Sequence, residues 1–141
     1  MLEKMILLDT DILIDLGRNR SQAVAYLKSL EGKCLICISV LTEMECIAGC
    51  RNEAEVLALF DFKHRFIIIT LNQEVCIAAV DLLNEYRVEH CLTPADAFIA
   101  ATALAIDIPL ATKRPEAYAC IPELTLLPYP PSAAAALAPT A

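Results

Sequence analysis

Short apolar segments alternate with longer amphipathic segments along most of the chain. An apolar segment of four or five residues, bounded by polar or turn-forming residues, is typical of a strand that is buried on both faces. Four segments fit this description, at residues 5–8, 34–38, 66–69 and 108–111, and residues 124–127 are a candidate for a short fifth strand.

The amphipathic segments between these strands predict helices. Several carry residues that commonly start or stop a helix: Ser39 can cap one helix, Pro94 can open another, and a third stops near Gly17. The predicted helices cover residues 11–17, 21–31, 39–48, 53–64, 73–87 and 93–107.

This order of elements predicts the α/β class. Because parallel strands need crossover helices that pack on the faces of the sheet, we expect a three-layer α/β/α sandwich with a central parallel sheet of four or five strands. The apolar fraction of 57% suits strands that are covered on both faces. We predict one domain at residues 1–127, followed at 128–141 by a mobile tail that is rich in Pro and Ala.

The formal net charge of −7 bears on how the chain could bind nucleic acid. It argues against an extended basic surface that neutralises phosphates, but it is compatible with acidic residues gathered around a metal ion. The apolar N-terminal stretch is interrupted by Asp9, Asp11 and Asp15, so it does not resemble a signal peptide, and no apolar run is long enough for a membrane helix. We therefore expect a cytoplasmic protein.

Seven cysteines lie mostly within apolar segments, where reduced Cys behaves as a small hydrophobic residue. The pairs Cys34/Cys37 and Cys46/Cys50 have spacings that also occur in zinc sites. Cys34 and Cys37 are predicted on one strand, where residues three apart point to opposite faces and cannot share a metal. We therefore expect free, buried cysteines rather than a zinc site.

Ligands in parallel α/β folds bind beyond the carboxyl ends of the strands, so polar residues that end or follow strands are candidates for a site. Asp9 directly follows the first strand and is the first candidate acid. Its alternative role is structural, because Asp9 or Thr10 could simply cap the first helix. The other strand-end candidates are Ser39, Thr70 and Thr112.

A second candidate acid, Glu45, lies on an otherwise apolar face of the helix at 39–48. Glu43 is about 200° away around the helix axis and is expected to face solvent. Thr42 and Glu45 also fit a capping box, but Ser39 is the better cap and would leave Glu45 inside the helix. A carboxylate turned towards the core needs a partner or a metal.

A third candidate acid, Asp96, opens a nearly apolar segment at residues 96–105. With Thr93 it resembles a capping box, which would make its role structural. This helix must nevertheless be deeply buried, so its first turn can present Asp96 to a central cavity. Three carboxylates from separate segments match the oxygen ligands of Mg²⁺ or Mn²⁺ and the chemistry of phosphodiester cleavage.

Three segments together resemble the PIN-domain family, and in particular its VapC-type toxin nucleases. Residues 7–15 resemble the family's opening strand with its first acid, residues 38–49 its second motif, and residues 94–104 its third motif. The resemblance extends over nearly the whole chain, to about Tyr118, and implies a PIN-like α/β/α fold.

The resemblance implies a divalent-metal-dependent endoribonuclease that cleaves RNA phosphodiester bonds. It implies that Asp9, Glu45 and Asp96 are both the catalytic residues and the ligands of Mg²⁺ or Mn²⁺. It also implies the toxin of a type II toxin–antitoxin pair, whose small antitoxin docks on the toxin and blocks the site. Homodimers are usual in the family.

The fourth motif of the family is altered in this chain. Residues 112–118 resemble it and Thr112 fits, but Arg114 and Ala117 stand where the family often has Asn or Asp. Arg114 is instead a candidate for contact with a substrate phosphate, as a fixed cation. The altered motif keeps open the alternative of a PIN-fold binding or regulatory module with weakened catalysis.

Two other acids, Asp11 and Glu116, are candidates to compensate for the altered motif. Asp11 stands where the family usually has Asn. The candidate substrate-binding residues are Thr10, Asp11, Thr112 and Arg114.

A further alternative is a haloacid-dehalogenase-like phosphatase. Asp9 and Asp11 after a strand, followed by Thr70 and Lys113, superficially follow that family's order of motifs. However, the small-residue turn expected after the first acids is missing, and no paired acids follow Lys113. Motif fragments without their structural context are weak evidence.

Overall fold

The computed structural model describes residues 4–129 as a series of alternating strands and helices. No strand boundary differs from the one expected from the apolar pattern by more than two residues. In chain order the elements are β1 (Met5–Leu8), α1 (Thr10–Gly17), α2 (Ser21–Leu30), β2 (Leu35–Ser39), α3 (Val40–Ala48), α4 (Glu53–Lys63), β3 (Ile67–Ile69), α5 (Gln73–His90), α6 (Pro94–Ala105), β4 (Leu110–Thr112), α7 (Pro115–Tyr118) and β5 (Leu126–Pro128).

The sheet has five parallel strands in the order β3-β2-β1-β4-β5, which confirms the predicted central parallel sheet. β1 lies at its centre and pairs with β2 on one side and with β4 on the other. Because all strands run in the same direction, their carboxyl ends meet at one edge. Asp9, which directly follows β1, therefore lies at that edge beside Ser39 and Thr112, the last residues of β2 and β4.

Helices cover both faces of the sheet. Ile6 and Leu8 of β1 pack with α1 and α2 on one face, whereas Leu7 packs with α6 and α7 on the other. This alternation follows from the two-residue period of a strand. Leu7 and Leu8 are fully buried, and the architecture is the expected three-layer α/β/α sandwich.

α6 lies between the sheet and α5. Its Ala100 and Ala103 belong to the apolar core against the sheet, whereas Ala97 and Ala101 pack with residues of α5. Both sides of α6 are therefore buried, which explains why its sequence is apolar almost all the way round. Asp96, in its first turn, is fixed relative to both neighbouring layers.

Two helices differ from the sequence-based expectation. α5 continues to His90, three residues further than expected, and ends at Cys91, which has a left-handed backbone (φ 56°). The short helix α7 is not predicted by the sequence, because four residues are too few to show a helical period. Among the helices of residues 4–129, none is both long enough and apolar enough to cross a membrane.

The described structure extends past the domain boundary expected at residue 127. β5 includes Pro128, and Tyr129 is buried with its ring centroid 5.2 Å from that of Tyr26 in an edge-on arrangement. This aromatic contact holds Tyr129 against the core. Residues 130–141, the remainder of the predicted tail, lie outside the described residues.

The cysteines are free thiols, as the sequence predicts. Cys37 is fully buried in the core, where burial raises the pKa of its thiol to about 11, so it is uncharged at neutral pH. Cys91 is exposed at the end of α5, and the expectation of burial is wrong for that residue.

We predict that Leu7→Ala lowers the free energy of unfolding by about 2–5 kcal/mol, because it leaves a cavity at the centre of the sheet. The matched control is Leu57→Ala on α4, where the side chain is 61% exposed and its loss should have little effect. Urea denaturation of both variants measures the difference. Equal losses of stability would contradict the central position assigned to Leu7.

Candidate active site

The carboxylate of Asp9 is buried at the carboxyl edge of the central strand. Its side chain is 2% exposed, and four donor groups lie within hydrogen-bonding distance of its two oxygens. Oδ1 accepts a hydrogen bond from the backbone N–H of Thr10 at 2.8 Å, and Oδ2 accepts one from the Thr112 hydroxyl, also at 2.8 Å. Asp9 is thus the N-cap of α1 and, at the same time, part of a polar cluster that includes the end of β4.

Asp96 reaches the same cluster from the first turn of α6. The hydroxyl of Thr93 accepts a hydrogen bond from the backbone N–H of Asp96 at 3.1 Å, so Thr93 caps the helix as expected. The Asp96 carboxylate has other partners, which are Arg114, just before α7, and Tyr118, within α7. The capping interaction therefore leaves this carboxylate available to the site.

Two side chains of the altered fourth motif join Asp9 to Asp96. Nη2 of Arg114 lies 3.0 Å from Asp96 Oδ1 and 3.4 Å from Asp9 Oδ2. The hydroxyl of Tyr118 lies 3.0 Å from Asp9 Oδ2 and 3.2 Å from Asp96 Oδ1. Asp9 Oδ2 and Asp96 Oδ1 therefore lie on either side of the same two groups, and their separation is at most the sum of two such contacts.

Tyr118 is a site residue that sequence reasoning missed. Burial, together with the charges of Asp9 and Asp96, raises the pKa of its hydroxyl, so the group remains a donor at neutral pH. A hydroxyl has one proton and donates to one carboxylate at a time. The signal available in the sequence is the position of Tyr118 within the segment at 112–118 that resembles the fourth motif.

Asp11 adds a third negative charge. Its two carboxylate oxygens are buried without a hydrogen-bond partner, and the nearest cationic atom is Arg114 Nε, 3.4 Å from Oδ2. Burial, followed by repulsion from Asp9, raises the pKa of Asp11 from 3.8 to about 6. Of the two acids that could compensate for the altered motif, Asp11 therefore lies beside Asp9 and Arg114, whereas Glu116 is exposed on α7.

Glu45 lies at the rim of the site. Its Oε1 accepts a hydrogen bond from the Thr10 hydroxyl at 3.0 Å, and that hydroxyl also lies 2.9 Å from the hydroxyl of Thr42. Because the backbone of Thr10 donates to Asp9, Thr10 connects Glu45 to the buried acids. Glu45 itself is exposed, so the expectation that it turns towards the core is wrong.

The expectation for Glu43 is wrong as well. Its side chain is only 16% exposed and lies 3.3 Å from Nζ of Lys63, at the end of α4. Thr42 is the fully buried residue of α3 and faces α1. α4 packs beside α3 and covers the side that carries Glu43. The helical period alone gives no indication of this neighbour.

The remaining strand-end candidates differ in their roles. Thr112 belongs to the cluster, because its hydroxyl both donates to Asp9 and accepts from the backbone N–H of Arg114 at 3.0 Å. The Ser39 hydroxyl caps α3 by accepting from Leu41 N–H. Thr70 is exposed after the edge strand β3.

The donor set of this site fits a hard divalent cation in ligand type and charge. All the acidic groups supply carboxylate oxygens, which are the ligands that Mg²⁺ prefers, and both oxygens of Asp11 lack a hydrogen-bond partner. Within residues 4–129, no three acidic, His or Cys side chains are already gathered as a metal-binding group. The cation found among the acids is the guanidinium of Arg114.

Comparison with known proteins gives a consistent result. A family model described as PIN domain matches residues 6–114. The chain is 30% identical over 128 residues to a protein named Ribonuclease VapC1 from Methanocaldococcus jannaschii, and the match covers 90% of this chain and 88% of that protein.

Two solved structures illustrate the similarity of fold. A chain of a toxin-antitoxin complex from Klebsiella pneumoniae is 31% identical, with a TM-score of 0.73, over 85% of this chain and 95% of that one. A chain of VapBC2 from Rickettsia felis, bound to a DNA fragment from its promoter, has a TM-score of 0.77 at 21% identity, over 88% of this chain and 98% of that one.

We predict that Asp11→Asn stabilises the protein by about 1–2 kcal/mol at pH 7.5, because a neutral amide avoids a buried charge whose oxygens accept no hydrogen bond and whose nearest cation, Arg114, is shared with Asp9 and Asp96. The raised pKa of Asp11 means that its carboxylate binds a proton more tightly in the folded protein than in the unfolded chain. Ionised Asp11 therefore lowers the free energy of unfolding above pH 6, and this loss of stability shrinks as the pH falls. Urea denaturation at pH 7.5 and pH 5 measures the change. The control is Glu116→Gln, at an exposed acid. A gain that does not decrease at pH 5 would contradict the account.

Proposed function

The chain belongs to the PIN-domain family, and from this premise we propose that it is a divalent-metal-dependent endoribonuclease that cleaves RNA phosphodiester bonds, the toxin of a type II toxin–antitoxin pair. The observation that supports this most strongly is the meeting of Asp9 and Asp96 at the carboxyl edge of the sheet. They come from the end of β1 and the first turn of α6, far apart in sequence, and both lie beside Arg114 and Tyr118. The similarity to a protein named as a ribonuclease supports the same activity.

In this proposal Asp9, Glu45 and Asp96 hold Mg²⁺ or Mn²⁺. Such an ion supplies an activated water and neutralises charge on the phosphate and on the leaving oxygen. The protein's contribution is to fix the carboxylates. Thr112 and the backbone of Thr10 hold the two oxygens of Asp9, and the Thr10 hydroxyl holds Glu45.

The four candidate substrate-binding residues differ in what they can offer to RNA. The hydroxyls of Thr10 and Thr112 are already engaged with carboxylates, so they act by orienting acids. Asp11 carries a negative charge that repels a phosphate. Arg114, whose side chain is 46% exposed, has the charge and the access to contact a phosphate oxygen. Of these residues, Arg114 is the one we assign to the substrate.

A small antitoxin is the proposed partner of this chain, as in the complexes of similar fold. A cavity of about 850 Å³ lies beside α1–α4 and extends to Glu45 at the rim of the site. Its wall combines apolar residues such as Leu27 and Phe62 with four cations, including Arg18 and Lys28, and with two acids, Glu45 and Glu55. This composition suits a partner segment that carries both apolar and acidic residues. The homodimer and the cytoplasmic location remain predictions.

One observation favours a second candidate, a PIN-fold binding or regulatory module with weakened catalysis. Arg114 contacts acids that the metal would use, and Ala117 supplies no acid in the fourth motif. The haloacid-dehalogenase-like phosphatase has no such support, because the chain matches a different family over most of its length.

We predict that the protein cleaves a labelled single-stranded RNA in the presence of Mg²⁺ or Mn²⁺, and that Asp9→Asn reduces cleavage to the level of a reaction without enzyme. Glu116→Gln is the control and should cleave like the wild type, because this acid is exposed and has no part in the site. If the wild type cleaves no faster than the reaction without enzyme with either ion, the binding-module proposal replaces the nuclease. If the wild type and Asp9→Asn both cleave above that background and at the same rate, the activity is not that of this site.

Ala117→Asp tests the altered fourth motif separately. The substitution restores an acid at a half-buried position next to Tyr118, and we expect RNA cleavage that is unchanged or faster than in the wild type. The same assay should be accompanied by circular dichroism, to show that the variant is folded. A folded variant that cleaves several times more slowly would show that an acid at this position is unfavourable here.

A further inference from the structure

Arg114 occupies the centre of the acidic cluster. Its guanidinium lies 3.0 Å from Asp96, 3.4 Å from Asp9 and, through Nε, 3.4 Å from Asp11. The adjacent cation, Lys113, is directed elsewhere and lies 2.8 Å from Asp15. Arg114 is therefore the cation that neutralises the carboxylates of the site, and a neighbour in sequence provides a natural control.

We propose that Arg114 is a resident counter-ion that competes with the divalent cation, so that binding of the cation requires the guanidinium to leave Asp9 and Asp96. The inference rests on the proposed metal site. Asp9 Oδ2 already has Thr112, Tyr118 and Arg114 within hydrogen-bonding distance. Carboxylate oxygens are the ligands that such an ion takes, so a divalent ion held by Asp9 would have to share this carboxylate with a positive guanidinium. The repulsion between two cations so close together opposes joint occupancy.

The three donors near Asp9 Oδ2 differ in how easily they can leave. Tyr118 and Thr112 are fully buried, whereas nearly half of the Arg114 side chain is exposed. The backbone of Arg114 is held, because its N–H donates to the Thr112 hydroxyl at 3.0 Å. The guanidinium can therefore rotate into solvent while its backbone stays in place. Arg114 is the replaceable partner of the acids.

The charge balance explains why a divalent cation can displace Arg114. The carboxylates of Asp9, Asp11 and Asp96 face a single guanidinium, which leaves an excess of negative charge when all three are ionised. Both oxygens of Asp11 still lack a hydrogen-bond donor in this arrangement. A cation of twice the charge neutralises the cluster more completely. Arg114 therefore lowers the affinity of the site for the metal, but it does not prevent the metal from binding.

Isothermal titration of Mn²⁺ into the metal-free full-length protein tests this competition. We expect Arg114→Ala and Arg114→Gln each to lower the Kd for Mn²⁺ at least tenfold, because both remove the competing charge. Lys113→Gln removes a neighbouring charge that does not contact these acids, and should change the Kd by less than twofold. The double variant Arg114→Ala/Asp9→Asn should lose the tight binding, which separates the site from other acidic surface.

Thermal unfolding supplies a second readout on the same proteins. Without metal, both Arg114 variants should melt at a lower temperature than the wild type, because the acids then repel one another without a counter-ion. Saturating Mn²⁺ should raise the melting temperature of these variants more than that of the wild type.

The outcomes distinguish the inference from the proposed function. Equal or weaker Mn²⁺ binding by folded Arg114 variants would overturn the competition while leaving the metal site intact. If neither the wild type nor the Arg114 variants bind Mn²⁺, the metal-dependent function fails and the inference fails with it. RNA cleavage is not needed to decide between these results.

Discussion

The need to keep a buried carboxylate hydrogen-bonded determines the organisation of this edge of the molecule. Asp9 follows the central strand of the sheet and is almost completely inaccessible, so every oxygen lone pair that is not satisfied carries a large desolvation cost. Thr10 and Thr112 meet part of this requirement from the start of α1 and the end of β4. Tyr118 meets the rest from a helix of four residues, α7, where its buried ring also packs in the apolar core.

The strand order brings the other residues of the site close to this buried carboxylate. Because β1 lies between β2 and β4, the segments that follow these three strands come together, although they are distant in the chain. α6 adds Asp96 from its buried first turn, and α3 adds Glu45 from its exposed side. The site therefore has a rigid interior and an open rim. A charged substrate can approach the rim, while the interior acids keep their geometry.

The sequence predicts those parts of the fold and site that depend on local patterns. Apolar segments identify the strands, the position after β1 identifies Asp9, and the first turn of an apolar helix identifies Asp96. It does not predict the orientations of Glu43 and Glu45, because these depend on how α4 packs beside α3. The role of Tyr118 and the contacts of Arg114 depend likewise on tertiary packing, since α7 is too short to produce a periodic pattern.

The small side chains of α6 limit which sequences can keep this site. α6 is enclosed between the sheet and α5, and Ala97, Ala100 and Ala101 are fully buried against these two neighbours. Any added methyl group there must be accommodated by a shift of the helix, and Asp96 would move with it. Larger side chains at these core positions would therefore change the distance between Asp96 and the other acids. Residues that never approach a substrate thereby restrict how far the sequence of this domain can diverge while it retains its chemistry.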